Sequence, residues 1–223
     1  MDDVLNGQVI AVIGGTGALG SGLAQRLAAA GKTVIIGSRT ADKAQAAAQT
    51  LKVPAGAPPA RGMTNADAAA AATVAVVTVP WGSQAEILAE IKPHVAGKLV
   101  VDCTVPLAPP KVARVNVPAE HSAALAAQQR LGSGVRVVSG FHNVAAHKLA
   151  TDASIDCDVL VFGDEPKDRD VAIAIATAAG LRGVHAGPLA NSIAAEAMTS
   201  VLIGINRNYK ADGAGLRITS IKV

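Results

Sequence analysis

The chain has 223 residues, a net charge of +3, half its residues hydrophobic and only 2% aromatic. That length allows one or two domains with a large core, which Ala, Val, Ile and Leu must fill in place of rings. The mild charge, the scarcity of aromatics and the lack of a dense basic run argue against nucleic-acid binding and leave room for a small anionic ligand.

Residues 9–20 read Val-Ile-Ala-Val-Ile-Gly-Gly-Thr-Gly-Ala-Leu-Gly, a buried strand entering a glycine turn. Gly15, Gly17 and Gly20 have the spacing of the dinucleotide fingerprint. Gly15 permits the tight turn, Gly17 lets the backbone approach a pyrophosphate, and Gly20 allows helix and strand to pack closely. A helix expected over 18–30 then offers its N-terminus to the phosphates. The next strand, 33–37, ends in Gly37-Ser38-Arg39 with Lys43 beyond it. An NAD site normally carries a carboxylate here, to hold the ribose 2′-hydroxyl. A hydroxyl, a guanidinium and an ammonium suit a 2′-phosphate instead, so the pocket reads as NADP-specific.

Further strands are expected at 74–79, 98–102, 135–139, 159–163 and 182–185, and helices at 41–51, 65–72, 83–91, 119–131 and 166–179. Thr40 and Asn65 read as N-caps. The alternation predicts an α/β fold, a doubly wound and mostly parallel Rossmann sheet. Residues 53–59 read as a linker. Pro106, Pro109, Pro110 and Pro118 keep 104–118 irregular. Beyond Gly187-Pro188 one long helix is expected over 189–208. The domains are therefore read as 1–187, the nucleotide-binding unit, and 188–223, a small C-terminal helical extension.

Ligands of such sheets lie beyond the carboxyl ends of the strands. Those ends carry Val79-Pro80-Trp81, Asp102-Cys103-Thr104-Val105-Pro106 and Ser139-Gly140-Phe141-His142-Asn143-Val144. Trp81, the sole tryptophan, fits either a cofactor cover or a surface anchor. His142 is the one histidine in the expected site, and both proton transfer and positioning are open to it. His94, His121, His147 and His185 read as solvated. No Ser–His–Asp order, HExxH motif, paired carboxylates, CxxC or Tyr-x-x-x-Lys appears. Cys103 and Cys157 follow no metal-ligand spacing and read as free buried thiols in a reducing compartment. The N-terminus is not signal-like, and the apolar stretch at 68–79 is too short to span a bilayer, so the expectation is a soluble cytoplasmic protein with no metal.

Five runs carry a specific resemblance: Gly-Gly-Thr-Gly-Ala-Leu-Gly (14–20), Gly-Ser-Arg-Thr-Ala-Asp-Lys (37–43), Gly-Met-Thr-Asn-Ala-Asp-Ala-Ala (62–69), Thr-Val-Pro-Trp (78–81) and Ala-Gly-Pro-Leu-Ala-Asn-Ser (186–192). In order and spacing they resemble the NADPH-dependent reductases of the deazaflavin coenzyme F-420. The resemblance implies an oxidoreductase that moves hydride reversibly between NADP(H) and the deazaflavin, usually as a homodimer. It implies that Gly15, Thr16, Gly17, Ala18 and Leu19 hold the pyrophosphate, and Ser38, Arg39 and Lys43 the 2′-phosphate. Val79, Trp81, Ala85, Val105 and Ala146 would line the nicotinamide side. Pro106, His142, Val144 and Leu216 would line the deazaflavin pocket, which the extension 188–223 completes while adding dimer contact. No catalytic acid or base is implied, because two hydride carriers held face to face need chiefly proximity and orientation. The chain departs from the family in its proline-rich 102–118 loop and its longer, more basic tail. Two other readings compete. One is an imine or carbonyl reductase similar to the pyrroline-carboxylate reductases, which carry a longer helical C-terminal domain. The other is a non-catalytic NADP-binding redox sensor, which need not keep a second-substrate pocket.

Overall fold

The computed structural model describes residues 4–221. Its central strand is β1 (Val9–Ile13). Ile10 and Val12 face one core with Leu23, Leu27 and Ile36; Ala11 and Ile13 face the other with Ile35, Ala68 and Leu88. A strand covered on both faces has no solvent side, which is why its sequence is an unbroken apolar run.

From β1 the chain passes through α1 (Ala18–Ala29) to β2 (Thr33–Ser38), then through α2 (Ala41–Gln49) to β3 (Arg61–Thr64). Next, α3 (Asn65–Ala71) leads to β4 (Val74–Val77), α4 (Trp81–Ile91), β5 (Leu99–Asp102), α5 (Ala123–Leu131) and β6 (Arg136–Ser139). These six strands are all parallel, in the order β3-β2-β1-β4-β5-β6. The order reverses between β1 and β4, and a crevice opens there at the carboxyl ends.

β3 is not among the expected strands. Its residues Arg-Gly-Met-Thr lie at the sheet edge and carry little apolar signal. A Cβ on Gly62 would sit 2.2 Å from the Ala44 carbonyl carbon, so α2 rests directly on the backbone of β3. The last two expected strands form a separate parallel sheet: β7 (Asp158–Val161) and β8 (Arg182–His185), connected by α7 (Pro166–Ala178). Backbone bonds of 2.8 and 3.0 Å between Ser139 and Phe162 join the two sheets. A short helix, α6 (Ala146–Leu149), is a further unexpected element, and the long C-terminal helix is α8 (Ser192–Tyr209).

Helix starts differ from expectation where side chains decide them. Thr40 occupies the N-cap of α2 without a side-chain bond. Thr64, not Asn65, caps α3: its hydroxyl accepts from Asp67 N at 3.2 Å and donates to Asp67 Oδ2 at 2.7 Å. α5 begins at Ala123 rather than 119, because Ser122 Oγ accepts from Leu125 N. Glu196 of α8 adds its carboxylate to the same end, accepting from Ala123 N at 2.6 Å and Ala124 N at 3.1 Å. Arg26 of α1 donates to the carbonyls of Lys148, Leu149, Thr151, Ala153 and Ala179, fastening α1 to the ends of α6 and α7. Both cysteines are free and buried. Among the described residues no helix is long and apolar enough to cross a membrane.

Candidate functional site

The glycine turn after β1 is shaped by two kinds of constraint. Gly14 has φ +73°, the left-handed conformation that favours glycine, and a Cβ there would meet Val79 Cγ1 at 2.5 Å. Gly15, expected to be the turning residue, is instead required for space: its Cβ would lie 2.7 Å from Val12 O. Gly20 meets its expectation, since a Cβ would fall 2.5 Å from Thr78 Oγ1 and 2.8 Å from Gly15 Cα. Gly17 caps α1, and an added Cβ would meet only Gly14 O, at 3.3 Å, with open space otherwise. No side chain caps that helix end and no acidic residue sits in its first turn. Uncapped N–H groups beside open space suit an anion.

Gly15 N donates to Gly37 O at 2.9 Å, tying the turn to the end of β2. Thr16 Oγ1 and Ser38 Oγ then face each other at 3.4 Å. Thr16, Gly17, Ser38, Arg39 and Val79 line one cleft of about 240 Å³. Arg39 is exposed and Ser38 buried, so the cation is presented from the rim. Lys43 is exposed on the first turn of α2 and lies outside that lining, as do Gly15, Ala18, Leu19, Trp81, Ala85, Val105 and Ala146. Gly14 and Pro80 also line the cleft, as do Asn65, Thr78, Ser83, Glu86 and Ile87, none of them foreseen as site residues. The apparent cap signal of Asn65 hides its contact: Asn65 Oδ1 accepts from Gly14 N.

The carboxyl ends of β4, β5 and β6 carry the other expected residues. Trp81 is half-buried at the start of α4, with the Arg130 guanidinium 5.8 Å from its ring centre. Val105 is half-buried and Pro106 buried. Ahead of them, Asp102 is fully buried: its carboxylate accepts from Thr104 Oγ1 at 2.7 Å and Gln84 Nε2 at 2.8 Å. Burial raises its pKa to about 7. The sequence places Asp102 at a strand end beside the expected site but gives it no role, because a lone Asp ending a strand has no motif.

His142 is buried, and neither ring nitrogen has a hydrogen-bond partner. Its backbone is fixed, with His142 O accepting from Thr199 Oγ1 of α8 at 2.9 Å. Desolvation lowers its pKa to about 4, so it is neutral at pH 7. An orphaned buried imidazole is costly alone and suits a polar ligand group. Val144 is buried and Ala146 half-buried on α6. Leu216 is half-buried, its carbonyl accepting from Asp158 N at 2.7 Å. Of the other histidines, His147 pairs with Asp212 and His185 with Asp170, both exposed. A larger hollow of about 490 Å³ between α5 and α7 is lined by Arg136 and Asp168, which pair with each other. It lies at the amino end of β6, away from the strand ends that form the crevice. Among the described residues no group of three or more His, Cys, Asp or Glu could hold a metal ion.

A 3-2-1-4-5-6 parallel sheet with this glycine turn and crevice defines a dinucleotide-binding Rossmann protein. The comparisons make the class narrower. A family model described as coenzyme F420-dependent NADP oxidoreductase matches residues 9–106. The F420-dependent NADP reductase of Methanothermobacter marburgensis is 39% identical over 95% of this chain and 98% of its own. That of Methanocaldococcus jannaschii is 38% identical over 96% and 99%. This chain belongs to the coenzyme F420-dependent NADP oxidoreductase family, and it is an NADP-dependent oxidoreductase. A crystal structure from Arthrobacter sp. FB24, provisionally described as an F420-dependent NADP reductase, shares the fold at TM-score 0.79 and 23% identity, covering 95% of this chain and 99% of its own. A pyrroline-5-carboxylate reductase from Coxiella burnetii shares it at TM-score 0.59 and 17% identity. This chain covers only 70% of that enzyme, whose chain is longer.

Proposed function

We propose that the protein transfers a hydride reversibly between NADP(H) and the deazaflavin coenzyme F-420. The observation that carries the nucleotide half is the cleft itself: Thr16, Gly17, Ser38 and Arg39 converge there, and the end of β2 supplies no carboxylate. The uncapped start of α1 receives the pyrophosphate through the N–H groups of Ala18 and Leu19, while Gly17, whose own N–H donates to Gly14 O at 2.9 Å, gives the close approach. Ser38 and Arg39 hold the 2′-phosphate, and Lys43 adds long-range attraction from α2. Val79, Trp81, Ala85, Val105 and Ala146 form the nicotinamide side.

On the other side, Pro106, His142, Val144 and Leu216 form the deazaflavin wall. Support comes from the orphaned imidazole of His142, and from relatives of nearly equal length that are named for this coenzyme. When bound, the deazaflavin supplies the hydride chemistry itself, since it has carbon where a flavin has its reactive ring nitrogen. The protein's part is to bind, to orient and to exclude water. His142, neutral and fixed through its backbone, donates or accepts one hydrogen bond. Residues 1–187 act as the nucleotide-binding unit and 188–223 as the extension closing the second pocket. Val201, Ile205 and Tyr209 stand exposed at i, i+4 and i+8 on α8, which we read as the contact face of a cytoplasmic homodimer.

The test mixes purified protein, NADPH and oxidised deazaflavin and follows loss of deazaflavin absorbance. Turnover with NADPH and little with NADH is expected. NADPH binding without deazaflavin reduction would overturn the assignment.

A further inference from the structure

The C-terminal tail is held by a buried clamp that no local sequence pattern announces. Asp158, the first residue of β7, is 1% exposed. Each carboxylate oxygen takes two donors. Oδ1 accepts from Arg182 Nε at 2.7 Å and Arg217 Nη1 at 3.2 Å, and Oδ2 accepts from Arg182 Nη2 and from Ile218 N at 2.6 Å. All four lone-pair directions of the carboxylate are thereby used. Its backbone N–H donates to Leu216 O at 2.7 Å, and Arg182 Nη2 also donates to Ile218 O at 2.7 Å.

The segment leading into the clamp fits its surroundings closely. Ala214 N donates to Asn206 Oδ1 at 2.7 Å, and Asp212 pairs with His147. A Cβ on Gly213 would lie 2.6 Å from Ala145 Cβ, and one on Gly215 2.7 Å from Cys157 Sγ. The tail therefore presses on both the 145–147 turn and residue 157. Leu216 sits in the middle of this pinned run.

We infer that Asp158 is a positioning residue for the second substrate: by clamping 216–218 it fixes Leu216 as a wall of the deazaflavin pocket. The inference rests on the proposed deazaflavin reading. It extends that reading to the clamp formed by Asp158 with Arg182 and Arg217. An Asn in place of Asp158 keeps the size but turns an N–H₂ toward either Ile218 N or the arginines, so donors face donors and the tail loosens. The nucleotide cleft shares no residue with the clamp.

The test measures steady-state kinetics of Asp158→Asn and Arg217→Ala as full chains. Asp158→Asn is expected to raise the deazaflavin KM about tenfold or more, with the NADPH KM within twofold of wild type and kcat at saturating deazaflavin retained. Arg217→Ala, which removes one half-exposed partner, is expected to raise the deazaflavin KM by a few-fold and keeps the question open to test if Asp158→Asn does not fold. Amide exchange of Ile218 should speed up in both variants. A general loss that raises both KM values alike, or an unchanged deazaflavin KM in the folded variants, overturns the role of Asp158. Wild-type protein that does not reduce deazaflavin overturns the functional reading beneath it, and this role with it.

Discussion

Asn65 Oδ1 accepts a hydrogen bond from Gly14 N at 3.1 Å, joining the start of α3 to the residue that turns the chain out of β1. Asn65 is 1% exposed, so this bond is sheltered from water. It fixes the left-handed turn through which every contact of the glycine loop is placed.

Asn65→Ala should therefore weaken NADPH and NADH by the same factor, about fivefold for one lost bond of about 1 kcal/mol. The loss of stability should be about 1–3 kcal/mol, because Gly14 N–H is left unpaired. Calorimetric titration and urea unfolding measure the two effects. Full affinity in the variant would show that the turn holds itself.

Arg39→Ala acts on one nucleotide only. Losing a charge-assisted bond to the 2′-phosphate costs about 1.5–3 kcal/mol, so NADPH affinity should fall about ten- to a hundredfold while NADH barely changes. Comparing the two dissociation constants separates this effect from that of Asn65. Parallel losses for both nucleotides would make Arg39 a structural residue.

His142→Asn should lower kcat by tenfold or less and act mainly on the deazaflavin KM. A general base contributes about 10²–10⁴-fold, whereas one positioning bond of about 1 kcal/mol contributes about fivefold. With its pKa lowered to about 4 by burial, His142 is already neutral across pH 6–8, and wild-type kcat should show no inflection from it there. A fall beyond a hundredfold with binding intact would assign proton transfer to His142.

Stability against pH should expose two buried groups that oppose each other. His142 titrates near 4 when folded and near 6.5 when unfolded, so between those values the unfolded chain binds more protons and stability rises with pH. Asp102 titrates near 7 when folded and near 3.8 when unfolded, so over the same window the folded chain binds more protons and stability falls with pH. Each effect has a magnitude of about 3–4 kcal/mol, and in the wild type they largely offset. Asp102→Asn should leave stability that climbs from pH 4 to 6.5, and His142→Asn stability that declines from pH 4 to 7. Glu196, whose pKa burial also raises, adds to the decline. Urea midpoints at pH 4.5, 5.5 and 6.5 provide the check, and identical slopes in both variants would refute the opposition.

What the sequence revealed follows the physics of each element. β1, β4 and β5 are covered on both faces and so appear as apolar runs that need no alternation to be read. β3 stays hidden because an edge strand is short and because Gly62 serves the packing of α2 rather than the strand. In the site, Gly17, Ser38 and Arg39 are legible because one fingerprint encodes a local turn and its neighbour strand. Asn65 reads as a helix cap, since the same residue type serves a cap or a turn partner and only the fold brings Gly14 to it. The Asp158 clamp is illegible for a related reason: its partners lie 24 and 59 residues away, beyond any local pattern.

The scarcity of rings reaches into how the layers are joined. Where helix meets helix, a missing side chain lets backbones nearly touch, as at Gly22 of α1, where a Cβ would lie 2.7 Å from Leu149 Cβ of α6. One long arm, Arg26, reaches out there and gathers five carbonyls from two stretches of chain, 148–153 and Ala179. The helix that opens at the glycine turn is thereby a rigid strut, keyed at its far end to the segment that follows α6.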